Sequence, residues 1–480
     1  MIRGPRPGRL RMLTAATLLT LVGTTVPSAL LAPSGAAAPE PGAPGVGDPY
    51  FPLDGNGSID VQHYRIKVAY DFEAARLRGS TTLTLVPTAE LSRFNLDLLL
   101  PASKVTVDGV EAGHRRSGGG HELVVRPKQA LAAGVPVEVE VRYAGHPGRK
   151  RYAGESNWLA DRHEVVTMNQ PHMAPWWFPA NDHPSDKATY DVSVTVPRGH
   201  QVISNGTRVG SRTKNDTRTV RWASERPMAS YLAFFAAGRF QVESGTSEGL
   251  PWTAAVSRRL MPHEQRASMR MLRRSPRIVR ALEQDLGAYP FSNTGGLVTS
   301  LDVDFALENQ TRPTYPVLGR SDTWLLVHEL AHQWFGDSVA VSRWRDIWLN
   351  EGAASFMEQR FLERQGGSAQ QWLTELHGSL GAGQQFWKLQ IADPGRRNIF
   401  DSAIYTRGAM AFQALRTRIG EDAFWTLLRT WLGSRADGNG TSEEFEALAS
   451  QVSGQDLTAF FQAWLREPTR PAATPENGLR

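Results

Sequence analysis

The sequence reads as an α+β multidomain chain, with an N-terminal β-sandwich-like domain followed by a mostly α-helical one. Between about residues 60 and 243 apolar and polar residues alternate, the period of half-buried strands. After about residue 260 apolar residues recur at spacings of three and four, the period of amphipathic helices. The chain has 480 residues, 41% of them hydrophobic and 21% charged, so it is long enough and apolar enough to bury a core in each part.

At the N-terminus, Arg3, Arg6, Arg9 and Arg11 precede an apolar stretch from Met12 to Val22, and the small residues Ser34 to Ala38 follow. A basic region, a short apolar core and an Ala-x-Ala-like site form the pattern of a secretory signal peptide, expected over 1–38. The apolar core is broken by Gly23 and Pro27 and is short for a bilayer span. The mature chain is therefore expected to be secreted, with no stable membrane anchor. Residues 39–47 are Pro/Gly-rich and are expected to form a flexible leader.

The β domain is expected over 48–245. Its clearest strands are 63–70, 80–86 and 137–143, with shorter ones at 104–110 and 121–125 and further ones at 189–196, 218–222 and 229–240. Residues 245–251 read as a loop near its end. The helical domain is expected over 246–470. Its helices fall at 263–286, 323–335, 351–364, 407–419, 422–432 and 442–452, interrupted by a strand-like stretch at 297–307. The tail 471–480 is expected to fray.

Composition excludes several classes of function. The net charge of +5 is thin for this length, and no long Lys/Arg run occurs, so no nucleic-acid partner is expected. There is no cysteine, which rules out disulfides, thiol nucleophiles and cysteine-held metals. A metal would have to be held by His and carboxylates.

The chain supplies such a set. In His328-Glu329-Leu330-Ala331-His332, within apolar flanks that favour a buried helix, residues four apart share a face, so both imidazoles can reach one metal. Glu329 lies beside them, able to touch a metal-bound water without being a ligand. A catalytic zinc takes three protein ligands and keeps one open position. Glu351, separated from His332 by eighteen intervening residues and in the expected first turn of a second helix, is the candidate third.

These residues resemble the aminopeptidase N family of gluzincin zinc metallopeptidases. The resemblance rests on the His-Glu-x-x-His motif, its distance to Glu351 within Trp348-Leu-Asn-Glu-Gly352, and the flanking Gln333-Trp-Phe-Gly336 and Trp344-Arg-Asp-Ile-Trp348. Phe178-Pro-Ala-Asn-Asp-His-Pro184 and Lys187-Ala-Thr-Tyr190 extend it upstream, and Ile404-Tyr-Thr-Arg-Gly-Ala409 extends it downstream. It implies a thermolysin-like catalytic domain with one zinc ion on His328, His332 and Glu351. It also implies peptide substrates cleaved at their N-terminus, Glu329 as general base and Tyr405 as oxyanion stabiliser. Relative to large members the chain stops early, which implies a short type without the large C-terminal helical domain and with an open cleft.

The resemblance also assigns the substrate's amine. The family's Gly-Ala-Met-Glu-Asn segment corresponds to Phe305-Ala306-Leu307-Glu308-Asn309, which gives Glu308 the amine-binding role on an edge strand able to pair with an extended peptide. Phe305 departs from the glycine. Gln170-Pro171-His172 falls where many members place a Gln-x-Glu pair that helps clamp the amine, so Gln170 and His172 are substrate-binding candidates. His172 cannot supply negative charge. Either it weakens the clamp, or it packs beside Trp176 and Trp177. A same-family zinc endopeptidase or other hydrolase with a relaxed N-terminal requirement, and a non-catalytic peptide-binding protein, remain as alternatives. The sequence leaves the oligomeric state unknown.

Overall fold

The structure, a computed structural model, describes residues 39–479, and the expected signal peptide over 1–38 lies outside them. A β-rich region leads into a helical one, and the two share one continuous apolar core.

An eight-stranded sheet dominates the first half. In spatial order its strands are Thr207–Lys214, Thr217–Ala229, Lys187–Pro197, Ile59–Asp71, Arg76–Pro87, Val137–Gly145, Ala102–Val107 and Val110–Glu111. All neighbours are antiparallel except Lys187–Pro197 and Ile59–Asp71, which run parallel. The alternation in sequence becomes two faces. Tyr64, Ile66, Val68 and Tyr70 are buried, whereas Arg65 and Lys67 face water. A bulge between Val61 and His63 resets the phase, so that Val61 and Tyr64 both point inward. Two four-stranded sheets complete the β region.

The residues expected to form a loose leader are packed. Glu40–Pro41 pairs in parallel with Leu91–Asp97, the Gly42 amide donates to Arg93 O at 2.9 Å, and the Val46 amide donates to Asp54 O at 3.1 Å. An edge position tolerates Pro41, because the missing N–H is not needed there. The expected loop at 245–251 is a hairpin instead. Phe240–Ser247 and Leu250–Ser257 pair throughout, joined at Glu248 and Gly249, whose φ values are 52° and 75°. Two consecutive positive φ angles are what a two-residue hairpin turn needs. This hairpin belongs to a mixed sheet with Thr294–Val298 and Thr314–Tyr315.

The helices are α1 (Pro262–Leu272), α2 (Ser275–Leu286), α3 (Thr323–Ala331), α4 (Trp348–Glu363), α5 (Ala369–Ser379), α6 (Ser402–Ile419), α7 (Glu421–Ser434), α8 (Ser442–Ser453) and the short α9 (Thr458–Phe461). The single helix expected at 263–286 is split into α1 and α2. Pro276 has no N–H to bond the Leu272 carbonyl, and its ring would clash there, so α1 ends at Leu272. The strand-like stretch at 297–307 is a strand only as far as Val298. Beyond it the Thr299 amide donates once to Tyr315 O at 3.3 Å, and Leu307 exchanges two hydrogen bonds with Thr314. Nor does the tail fray. His377 bonds the Pro471 carbonyl at 2.9 Å, Trp464 Nε1 donates to Asn477 O at 3.1 Å, and Leu479 is buried. Among the described residues no helix is long and apolar enough to cross a membrane.

Candidate active site

Two helices build the centre of the site. Leu326, Val327, Leu330 and Ala331 bury α3, and they carry His328 and Glu329 inward with them. His332 caps the C-terminus of α3 in helical geometry, still bonded through its amide to His328 O at 3.2 Å. The helix expected to run to 335 therefore ends at the second imidazole. In the first turn of α4, Glu351 faces both rings. α4 and α6 cross closely because Gly352 and Gly408 meet backbone to backbone, and a Cβ on either would lie inside 3.0 Å of the other chain segment.

The three donor atoms fit zinc. His328 Nε2 and His332 Nε2 are 3.1 Å apart, and they lie 3.4 and 3.3 Å from Glu351 Oε2. Corners of a tetrahedron with zinc–ligand arms of about 2.0–2.1 Å are separated by about 3.3–3.4 Å. Two imidazoles and a carboxylate on one side, facing an open cleft, are also the donor set of a catalytic zinc. Each imidazole is held from behind: His328 Nδ1 bonds Glu358 Oε1 at 2.7 Å, and His332 Nδ1 bonds Phe335 O at 2.9 Å. Such outer bonds fix the ring orientation and leave Nε2 for the metal.

Charge among these groups follows from burial and proximity. Burial alone would raise the Glu351 carboxyl, but His332 and His328 hold it at about 2. Burial pushes the Glu329 carboxyl up to about 8, with the two imidazoles pulling the other way. The His332 imidazole, which burial would lower, is raised to about 9 by Glu351.

The cleft over these groups has a volume of about 590 Å³. Glu308, Gln170, Phe305 and Tyr405 line it together with the metal-binding set. Glu308 is buried at 3% exposure, and its Oε1 accepts from Gln170 Nε2 at 3.2 Å and from the Tyr231 hydroxyl at 3.0 Å. Gln333 Nε2 donates to its backbone carbonyl at 2.9 Å. Burial raises its carboxyl above the usual range, His332 opposing and Glu351 reinforcing. Phe305, in a loop rather than on the expected edge strand, is 37% exposed into the cleft. Tyr405 stands in the first turn of α6, its ring 6.0 Å from that of His328.

His172 is not in the cleft. It is 1% exposed and turned into the β domain, with Nε2 on Asp54 and Nδ1 3.0 Å from Glu155 Oε2. Burial would lower its basicity, but Asp54 and Glu155 raise it to about 10. The substrate-binding candidacy of His172 is thereby corrected. A buried imidazolium needs two carboxylates more than the cleft needs a cation, and Phe51 packs against its ring edge-on. Of the amine-binding candidates, Gln170 and Glu308 come together and His172 does not.

Sequence reasoning missed Glu358, Tyr231 and Phe335 O. Glu358 lies seven residues after Glu351, two turns along the same face of α4, so the helical period could have found it. Tyr231 reaches Glu308 from the β region, 77 residues away in sequence, with no local signal.

A buried helix with two zinc-spaced histidines, a glutamate from the next helix and a further glutamate beside them form the arrangement expected of the gluzincin class of zinc metallopeptidases. Residues 60–232 match the Peptidase M1 N-terminal domain and residues 295–464 match the Peptidase family M1 domain, so the chain belongs to peptidase family M1. It is 24% identical to Probable aminopeptidase 1 of Sulfurisphaera tokodaii, over 87% of this chain and 54% of that protein. It is 25% identical to Aminopeptidase N of Lactococcus lactis subsp. cremoris, over 86% of this chain and 51% of that protein. The chain thus spans about half the length of the curated relatives it matches. Among solved structures, an M1 zinc metallopeptidase mutant from Deinococcus radiodurans, bound to a Tyr-Ser-Ala substrate, superposes with a TM-score of 0.79 at 25% identity, covering 90% of this chain and 100% of that one.

Proposed function

We propose that this protein is an exported zinc aminopeptidase that removes N-terminal residues from short peptides. The observation that carries the reading is the pairing of the three-donor site with a buried carboxylate, Glu308, in the same cleft. When bound, zinc supplies a Lewis acid that polarises the scissile carbonyl and acidifies water. Glu308 receives the substrate's ammonium, assisted by the Gln170 side-chain carbonyl, and sets the first peptide bond over the site. Glu329, adjacent to the ligands but not one of them, takes a proton from the attacking water and returns it to the leaving amine. The Tyr405 hydroxyl donates to the carbonyl oxygen as it gains charge. Burial raises the Tyr405 hydroxyl well above its ordinary value, which keeps it protonated and able to donate.

The inward turn of His172 favours a second reading at the same site, a relaxed requirement for the free amine, because a single carboxylate holds it. Hydrolysis of matched free and N-acetylated peptides, with and without chelator, separates the readings. An aminopeptidase cleaves the free peptides alone and loses that activity to chelator. Equal cleavage of acetylated peptides indicates the relaxed enzyme, and no hydrolysis by zinc-loaded protein overturns both. Export rests on the pattern over 1–38, and the mass of protein recovered from culture medium tests it: loss of about that segment supports export, and intact protein confined to cells overturns it.

A further inference from the structure

The eight-stranded sheet buries one face in the core and turns the other to water. Strand register gathers on that outer face cations that are scattered in sequence. Arg221 is opposite Ser193, Ser193 opposite Lys67, Lys67 opposite Ser80, Ser80 opposite Arg142, and Arg142 opposite Lys104. One row crossing six strands thus carries four cations, with a serine between Arg221 and Lys67 and another between Lys67 and Arg142. With strands about 4.8 Å apart, Arg221, Lys67 and Arg142 stand about 10 Å from one another along a track of about 24 Å.

Part of this track is a concavity of about 640 Å³, lined by Arg65, Lys67, Arg78 and Arg221. Among the described residues none of these four has an ion-pair partner. Asp191 is the one carboxylate lining the concavity, and it faces His63 at 3.7 Å. Further along, Arg142 and Lys104 touch Glu140 and Glu111, but as exposed pairs that are weak and readily exchanged. The floor is hydroxyl-rich, with Ser80, Ser193, Thr195 and Thr219 in the concavity.

The geometry points to a binding track for an extended acidic polysaccharide along the Arg221–Lys67–Arg142–Lys104 row, separate from the zinc cleft. Arg221, Lys67 and Arg142 stand on alternate strands about 10 Å apart, the length of about two sugar units, so they match every second acid group of a chain that carries one per sugar, and the hydroxyls between them suit sugar hydroxyls. Among the described residues no aromatic side chain is exposed on this face, so it lacks the stacking platforms that single-stranded nucleic acid uses. Among the described residues Val110 and Val209 are the exposed large apolar side chains on these strands, far fewer than a lipid-inserting surface presents. None of its residues lines the zinc cleft.

The test measures binding of the full chain to dextran sulfate and polygalacturonate, against neutral dextran, a single-stranded oligonucleotide and anionic phospholipid vesicles. Lys67→Glu with Arg221→Glu is compared with Arg266→Glu plus Arg270→Glu, which makes the same change in net charge on the exposed side of α1. The two acidic polysaccharides are expected to bind, neutral dextran is not, and binding weakens as salt rises. The Lys67/Arg221 pair loses at least about tenfold in affinity, the α1 pair does not, and hydrolysis of a small peptide is unchanged in both. Arg65→Gln with Arg78→Gln provides a second reading should the first pair fold poorly. Equal loss in the track and α1 variants, no binding of either polysaccharide, or tighter binding of oligonucleotide or vesicles overturns the proposal.

Discussion

Gln170 Nε2 donates to Glu308 Oε1 across 3.2 Å, joining the β region to the loop that borders the metal site. The Tyr231 hydroxyl donates to the same oxygen. Both donors come from the β region, which therefore holds the carboxylate proposed to receive the substrate's amine.

Replacing that charge should be read in binding before chemistry. Glu308→Gln removes a charged partner contributing about 1.5–3 kcal/mol, so KM for free-amine peptides should rise about 10- to 150-fold. Hydrolysis of N-acetylated peptides should stay as it was. An unchanged preference for free amines in this variant would remove Glu308 from recognition.

Glu329→Gln and Tyr405→Phe act on the chemical step. Loss of a general base should reduce kcat by about 100- to 10,000-fold, with KM little altered. Loss of an oxyanion donor should reduce it by about 100- to 1,000-fold. Steady-state kinetics at saturating peptide read both. Wild-type kcat in Tyr405→Phe would show that the hydroxyl takes no part.

Chelation should abolish hydrolysis without unfolding the protein, because Glu351 still faces two imidazoles that can carry the compensating protons. Far-ultraviolet circular dichroism should be retained at 25 °C, while the ion's contribution, about 2.7 kcal/mol at a free concentration of 100 Kd, disappears from the thermal midpoint. Glu358→Ala should weaken zinc affinity about 10- to 100-fold by releasing His328. Competition with a metal indicator measures it.

His172 links stability to pH. Its folded basicity, about 10, lies above the ordinary 6.5, because Asp54 and Glu155 outweigh burial. A raised imidazole contributes fully below its unfolded value and loses that contribution as pH rises through the folded one. Urea midpoints should therefore fall between pH 6.5 and about 10. His172→Gln should cost about 3–5 kcal/mol at neutral pH, by removing the imidazolium between Asp54 and Glu155 and leaving buried Asp54 with the Tyr152 hydroxyl and the more distant His121, and should flatten that fall. An equally steep decline in the variant would assign it to another group.

Much of the catalytic domain was legible because its chemistry is local. The spacing of His328 and His332 reports one face of one turn, and the placement of Glu351 at the start of the next helix needs only the length of the gap. Alternation over 63–70 and 137–143 likewise reports two faces of a strand, whatever lies beside it. Residues 301–308 alternate equally well, yet they form no strand beyond the Leu307 bridge, since alternation cannot reveal whether a neighbouring edge is within reach.

By itself the sequence determined the period of most strands and helices, the zinc donor set and the absence of any cysteine chemistry. Only the tertiary structure decided the direction of His172, the arrival of Tyr231 at Glu308 and the packing of residues 39–46 and 471–479. The same is true of charge. A net +5 over 480 residues says little, whereas strand register brings Lys67, Lys104, Arg142 and Arg221 into one row. Spacing along the chain fixes which side chains share an element's face, but which faces meet depends on contacts between residues tens to hundreds of positions apart, and no local pattern records those.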